Sequence, residues 1–142
     1  MPIRLEIVTP EKQAFADDVD AVILPGSEGE LGVLPHHAPL ISLLGAGELR
    51  IRKGGTEEAF AIVGGFVQVL PDKVVVMAET ADLAAEIDLE RAQEARREAE
   101  RALEAGLVEP TDLAQARAAL QAALVRIRVA ERRHREGPRR RG

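Results

Sequence analysis

An N-terminal antiparallel β-sandwich followed by a C-terminal antiparallel two-helix hairpin, an α+β chain of two domains, is the fold class that three features of the sequence predict. Up to residue 86 the apolar residues come in short runs, several alternating with polar ones, the pattern of strands with one buried face. Turn residues interrupt these runs roughly every eight to twelve positions with no helical stretch between them, as a sandwich or barrel requires. From Ile87 onward the composition changes to Ala, Arg, Glu and Leu, with no Phe and almost no β-branched residue before Val125. That composition favours helix and sets the domains at residues 1–86 and 87–142.

In the first domain Ile3, Leu5 and Ile7 alternate with Arg4 and Glu6 and predict a strand that Thr9-Pro10 ends. Residues 13–15 and 19–24 read as further strands, separated by Asp17-Asp18 and stopped at Pro25-Gly26. Residues 25–40 read as a repeatedly reversing, mostly exposed loop, because Gly29 and Gly32 flank Glu30-Leu31 and two prolines, Pro35 and Pro39, bracket His36-His37. Residues 40–44 form an apolar run that reads as buried, and Gly45 and Gly47 mark a turn. Leu49-Arg50-Ile51-Arg52 then alternates before the hairpin signal Lys53-Gly54-Gly55. Residues 60–63 return, and Gly64-Gly65 breaks the run as a bulge or strand crossing. Residues 66–69 alternate, Pro71-Asp72 turns the chain, and residues 74–77 form a β-branched strand, for a total of about eight to ten strands.

In the second domain Asp88 is the expected N-cap of the first helix, with Glu90 complementing the helix dipole. Leu89, Ala92, Ala99 and Leu103 recur at helical spacing until Gly106 ends the helix. A second helix starts at Pro110-Thr111-Asp112 with Thr111 as N-cap and carries the stripe Leu113, Ala116, Leu120, Ala123, Ile127 and Ala130 as far as Gly137-Pro138. Helices of about 17 and 25 residues would run roughly 26 and 37 Å, antiparallel because their connection is short. The contact faces are mostly alanine, which at about 25 cal/mol per Å² gains far less than a leucine seam, so the hairpin should be loosely held.

Composition narrows the function. The 142 residues suffice for one domain with a true core and an appendage. Aromatics are limited to Phe15, Phe60 and Phe66, which argues against stacking platforms for bases. Without cysteine there is neither a disulfide framework nor a thiolate metal site, and the chain suits a reducing compartment. No secretory signal precedes Ile3, and the apolar runs fall far short of the ~20 residues that span a bilayer, so no direct membrane insertion is expected. The net charge of −5 conceals an asymmetry: residues 1–86 hold 6 Lys/Arg against 14 Asp/Glu, whereas residues 87–142 hold 13 against 10. The basic end raises nucleic acid as a partner, but the acidic sandwich and the lack of interleaved aromatics oppose it, and none is expected. His36 and His37 are adjacent and lack ligand-like spacing to Glu28 or Glu30, so no metal site is expected. No Ser-His-Asp order or catalytic carboxylate pair can be assembled, and the chain does not read as an independent enzyme.

The order Gly-Ser-Glu-Gly-Glu-Leu-Gly-Val-Leu-Pro-His-His-Ala-Pro-Leu over residues 26–40 resembles the signature of the bacterial-type epsilon subunit of F-type ATP synthases. Gly64-Gly65-Phe66 and Met77-Ala78-Glu79-Thr80-Ala81 are similar to the same family's pattern. The resemblance implies a flattened sandwich in a non-catalytic component of the central rotor stalk, which couples proton flow to ATP synthesis and inhibits ATP hydrolysis through its C-terminal hairpin. It implies the gamma subunit, the membrane c-ring and the alpha/beta catalytic head as partners, and a place on the cytoplasmic face of the bacterial membrane. Ser27, Glu28, Glu30 and His37 would then face the ring at the foot of the stalk.

Two further sets of residues follow from the same resemblance. Ile87-Asp88-x-x-Arg91-Ala92 is similar to the motif by which some epsilon subunits bind ATP, which implies no required cofactor but a regulatory ATP. In that reading Asp88 takes the adenine amino group, Ile87 covers the ring, and Arg91 with Arg126 pairs the phosphates. Glu98 and Ala122 stand where the family places further arginines, with Arg97 and Arg101 the nearest substitutes, and a plain helix cap is the other reading of Asp88. Arg128, Arg132 and Arg135 share a helical stripe and are implied to meet the beta subunit when the hairpin, docked on the sandwich in one state, opens in another. Arg139, Arg140 and Arg141 read as a solvated tail. The alternative is a stand-alone nucleotide-sensing or nucleic-acid-binding module that uses the Arg-rich C-terminal helix.

Overall fold

The structure, a computed structural model, describes residues 2–36, 38–106, 109–136 and 139–140. The expected sandwich is present as β1 (Ile3–Val8), β2 (Gln13–Val19), β3 (Ala21–Gly26), β4 (Gly29–Val33), β5 (Leu40–Leu43), β6 (Gly47–Lys53), β7 (Thr56–Val69) and β8 (Lys73–Leu83). A two-residue β9 (Arg139–Arg140) follows the helices. One hydrogen-bonded path runs β2-β1-β8-β7-β6-β3-β4, with β5 and β9 added beside β7. Alternation puts Ile3, Leu5, Ile7, Leu24, Leu49 and Ile62 into a single closed core with no exposed surface.

The long β7–β8 hairpin is what doubles this path over. Up to Ile62, β7 pairs with β6; from Phe66 it pairs with β5, while β8 accompanies it on the other side in one unbroken register. Gly64-Gly65 is therefore a strand crossing and neither a bulge nor a break. Gly65, at φ +109°, comes so close to β8 that a Cβ there would lie 2.0 Å from the Met77 carbonyl oxygen.

Several local expectations change. The pairing of β1 with β8 is parallel, because no hairpin joins two strands so distant in sequence and their relative direction is free. Residues 25–40 are not a loop throughout: β3 and β4 form a tight hairpin with Ser27-Glu28 at its tip, and the irregular described residues that follow are 34–36 and 38–39. The glycines hid a strand whose Leu31 and Val33 alternate normally, and Gly26 is needed because a Cβ there would sit 2.5 Å from the Gly29 carbonyl oxygen. Asp17-Asp18 lies within β2, where the Lys53 ammonium and the Asp18 amide hold the Asp17 carboxyl below the usual carboxylate range. The chain turns at Asp20, whose carboxylate accepts from the Gly54 amide at 2.9 Å.

After a 3-10 turn at Ala84–Glu86 come α1 (Leu89–Glu104) and α2 (Pro110–Glu136), which pack on each other. Asp88 caps α1 as expected, accepting from the Arg91 amide at 3.2 Å. Thr111 does not cap α2. The Leu113 amide donates to the Glu109 carbonyl at 3.0 Å, so Glu109 is the cap and Pro110 occupies the first helical position, where its fixed φ and missing N–H fit. The predicted stripe of α2 is buried at Ala123, Ile127 and Ala130, and half-buried at Leu113, Ala116 and Leu120. A second buried pair, Val125 and Val129, docks α2 on the sandwich against Ala61 and Ala84, flanked by Ala46, Ala59 and Ile87.

Of the tail expected to be solvated, Arg139–Arg140 pairs antiparallel through its backbone with Thr56 and Glu57, while Arg141 lies outside the described residues. The reason is that β8 accompanies β7 only from Phe60 onward, leaving the edge at residues 56–59 open to another strand. Among the described residues no helix is long and apolar enough to cross a membrane.

Candidate functional site

Three surfaces carry the chemistry. The first is the tip of the β3–β4 hairpin, where Ser27 and Glu28 are exposed and Glu30 points outward from β4. The base of the hairpin is pinned from both sides: the Ser27 amide donates to the Leu43 carbonyl at 3.1 Å, and the Gly45 amide donates to the Pro25 carbonyl at 2.8 Å. A polar tip on a fixed base suits the presentation of side chains to a partner. The Glu30 carboxylate accepts from Arg50 of β6 at 3.1 Å. His37, predicted for the same surface, lies outside the described residues.

The second surface is where α2 crosses the sandwich. A cleft of about 340 Å³ separates the hairpin base from α2, with Pro25, Glu30 and Glu48 on one wall and Arg128, Val129 and Arg132 on the other. Arg128 is exposed, whereas Arg132 is half-buried, donating to Glu48 and standing 3.9 Å from Glu57. The arginines of the predicted stripe are thus not equivalent, since Arg132 is committed to the sandwich; the Arg135 side chain lies outside the described residues. Sequence reasoning missed Glu48 and Glu57 because both look like ordinary outward acids on alternating strands. Their proximity to α2 depends on which sheet face the helix covers.

The residues predicted for a nucleotide gather where β8 leads into α1. Asp88 is occupied as a cap, Ile87 lies half-buried in the seam under α2, Ala92 is buried and Arg91 is exposed. Arg126 does not point freely: its Nε donates to the Asp82 carboxylate at 2.7 Å. Arg97 and Arg101 stand 2.8 and 3.7 Å from Glu94, and the Arg97 hydrogen bond foremost holds that exposed carboxyl below the usual range. Among the described residues Arg91 makes no ion pair, so it is the readiest of the set to take a phosphate, and Arg126 would have to leave Asp82 to join it.

The third surface was misread in sequence. Residues 40–44 are not a buried run, for Ile41 and Leu43 are 72% and 67% exposed, beside Phe66 at 40%. Leu43 pairs with Phe66 and Phe66 with Met77, so three large apolar side chains stand in a row across β5, β7 and β8. A shallow cavity of about 570 Å³ next to them is also lined by Val8 and Pro10. A strand apolar on both faces ordinarily lies between two covering layers. Here the second face is bare, and such a patch marks an interaction surface.

Comparison with known proteins follows this geometry closely. The family model described as ATP synthase, Delta/Epsilon chain, beta-sandwich domain matches residues 2–84, and that of the long alpha-helix domain of the same chains matches residues 85–131. The ATP synthase epsilon chain of Syntrophobacter fumaroxidans is 52% identical over 130 residues, which cover 92% of this chain and 96% of that one. The ATP synthase epsilon chain of Dehalococcoides mccartyi is 46% identical over 131 residues, covering 92% and 94%. Among solved structures, a chain of the Euglena gracilis mitochondrial ATP synthase, in its OSCP/F1/c-ring assembly, superposes with a TM-score of 0.72 at 26% identity, covering 87% of this chain and 78% of that one. A chain from the central stalk and c-ring of the Tetrahymena thermophila enzyme shares the fold, with a TM-score of 0.61 at 15% identity, covering 92% and 97%.

Proposed function

We infer the role of this chain from the family to which it belongs, the delta/epsilon chains of ATP synthase: it is an epsilon subunit, a component of the central stalk that couples proton flow to ATP synthesis. It is a non-catalytic subunit, peripheral to the membrane and on its cytoplasmic face. The apolar row of Leu43, Phe66 and Met77 with the neighbouring Ile41 is the surface for the gamma subunit, and the polar tip at Ser27, Glu28 and Glu30 is the surface for the c-ring. Two of the arginines that favoured a free nucleic-acid module face sandwich carboxylates instead, Arg126 on Asp82 and Arg132 on Glu48.

The helices act as a brake on hydrolysis. One observation carries this reading: the sandwich closes its own core without them, and α2 is held to it by a thin seam of Ala61, Ala84, Val125 and Val129. An element with so little apolar burial opens at low cost while the rest stays folded. Released, α2 presents Arg128, Arg132 and Arg135 to the beta subunit of the catalytic head. In reconstituted enzyme, a chain ending before Thr111 should co-purify as well as the full chain and hydrolyse ATP faster, with the difference shrinking as salt screens the arginines. Equal hydrolysis rates at every ionic strength would remove the brake.

A regulatory ATP at Ile87, Asp88, Arg91, Ala92 and Arg126 would favour the docked state. The free oxygen of the Asp88 carboxylate reads the adenine amino group, and Arg91 and Arg126 neutralise phosphate. Asp88→Ala should then weaken ATP by more than tenfold relative to a pyrimidine triphosphate in calorimetric titration, besides a loss of about 1 kcal/mol of helix stability as a cap. Equal weakening of both nucleotides would leave Asp88 as a cap alone.

A further inference from the structure

The polar tip and the docked helix are joined by an unbroken chain of opposite charges. Glu30 on β4 accepts from Arg50 Nη2 at 3.1 Å, and Arg50 Nε stands 3.7 Å from Glu48 Oε1. That same oxygen accepts from Arg132 Nη1 of α2. Arg132 Nη2 reaches Glu57 Oε1 at 3.9 Å, and Glu57, whose side chain is only 6% exposed, stands 3.8 Å from Arg52 through its other oxygen. Three carboxylates and three guanidiniums therefore alternate across β4, β6, α2 and β7. Each carboxylate that receives Arg132 is shared with an arginine of β6.

The sharing at Glu48 is a competition. Arg50 Nε is buried and among the described residues donates to no acceptor, so it is poised to take Glu48 Oε1 whenever the hold of Arg50 on Glu30 is lost. Glu30 also lines the cleft that Arg128 and Arg132 line from the other side, and its negative charge favours their presence there. Both effects have the same sign: neutralising Glu30, or drawing it toward another cation, weakens the grip of the sandwich on Arg132.

We propose that Glu30 is the remote end of an ionic latch on α2, so that a cationic side chain from a partner engaging Glu30 at the hairpin tip loosens the docked helix through Arg50, Glu48 and Arg132. The latch connects a partner-facing loop to a helix on the far side of a cleft. It belongs to the isolated chain and stands whether or not the helices restrain hydrolysis. What makes it effective is the thinness of the apolar seam, in which a few ion pairs are a large part of what fixes α2.

The absence of cysteine permits a direct test, with donor and acceptor dyes on Lys12→Cys and Arg117→Cys, both exposed, one on the sandwich and one on α2 of the full chain. Single-molecule transfer then counts docked and undocked molecules. At low salt Glu30→Gln should raise the undocked-to-docked ratio about two- to fivefold, the range of surface ion pairs, and Arg132→Gln at least as much. Because Glu30 acts mainly through Arg132, with only the exposed Arg128 left in the cleft when Arg132 is replaced, the effect of Glu30→Gln should be much smaller in the Arg132→Gln background than alone. Glu11→Gln, the same charge change outside the chain of pairs, should do nothing, and ~1 M salt should erase the differences. The latch is overturned if Glu30→Gln leaves the ratio unchanged, if its effect adds in full to that of Arg132→Gln, or if Glu11→Gln matches it.

Discussion

Gly65→Ala is expected to lower the thermal midpoint of the sandwich by about 10 °C or more, corresponding to about 3 kcal/mol in a domain of this size. Two costs combine at this position. A φ of +109° is poorly tolerated by any residue with a Cβ, a strain of roughly 1–3 kcal/mol. The new methyl would also lie 2.0 Å from the Met77 carbonyl oxygen and 2.8 Å from the Ala78 Cα, backbone atoms that move only if β7 and β8 part. Those strands run through both halves of the core, so separating them disturbs the packing of Ile62, Val67 and Val76 together. Gly54→Ala is the control: its φ is also positive, at +57°, but nothing among the described residues lies within 4 Å of the added carbon. Its loss should stay near 1 kcal/mol, the cost of the backbone alone. Thermal unfolding followed by circular dichroism compares the two, and near-equal midpoints would show that the crossing tolerates a side chain.

The Ile41→Asp/Leu43→Asp double variant should fold normally and fail to join the stalk. Both side chains face solvent in the isolated chain, so their loss leaves the core cluster untouched. In the proposed contact with the gamma subunit each would contribute about 1.5–3 kcal/mol, and a carboxylate forced into the same apolar contact would add a desolvation cost. Together the changes exceed about 4 kcal/mol, a thousandfold in affinity. Co-purification with gamma should disappear while the thermal midpoint of the free chain moves by no more than a few degrees. Retention of the variant in the assembled enzyme would place the gamma contact elsewhere and leave Leu43, Phe66 and Met77 without a partner.

Sequence by itself determined much of what depends on neighbours along the chain, though not the cap of α2 or the β3–β4 hairpin that Gly29 and Gly32 disguised. Alternation placed Ile3, Leu5 and Ile7 in the core, the change of composition at Ile87 announced the helices, Asp88 announced its cap, and the run from Gly26 to Leu40 carried the family resemblance. Tertiary structure alone decided which of these faces is covered and by what. The bare row on β5, the second buried face of α2 at Val125 and Val129, and the pairs Arg126–Asp82 and Arg132–Glu48 all join residues far apart in sequence. Periodicity states that a residue lies on one face of a strand or helix, but not which element comes to rest on that face. An outward glutamate such as Glu48 and an apolar residue such as Ile41 thus look ordinary until the chain folds, because burial and charge pairing are set by the neighbours that long-range contacts supply.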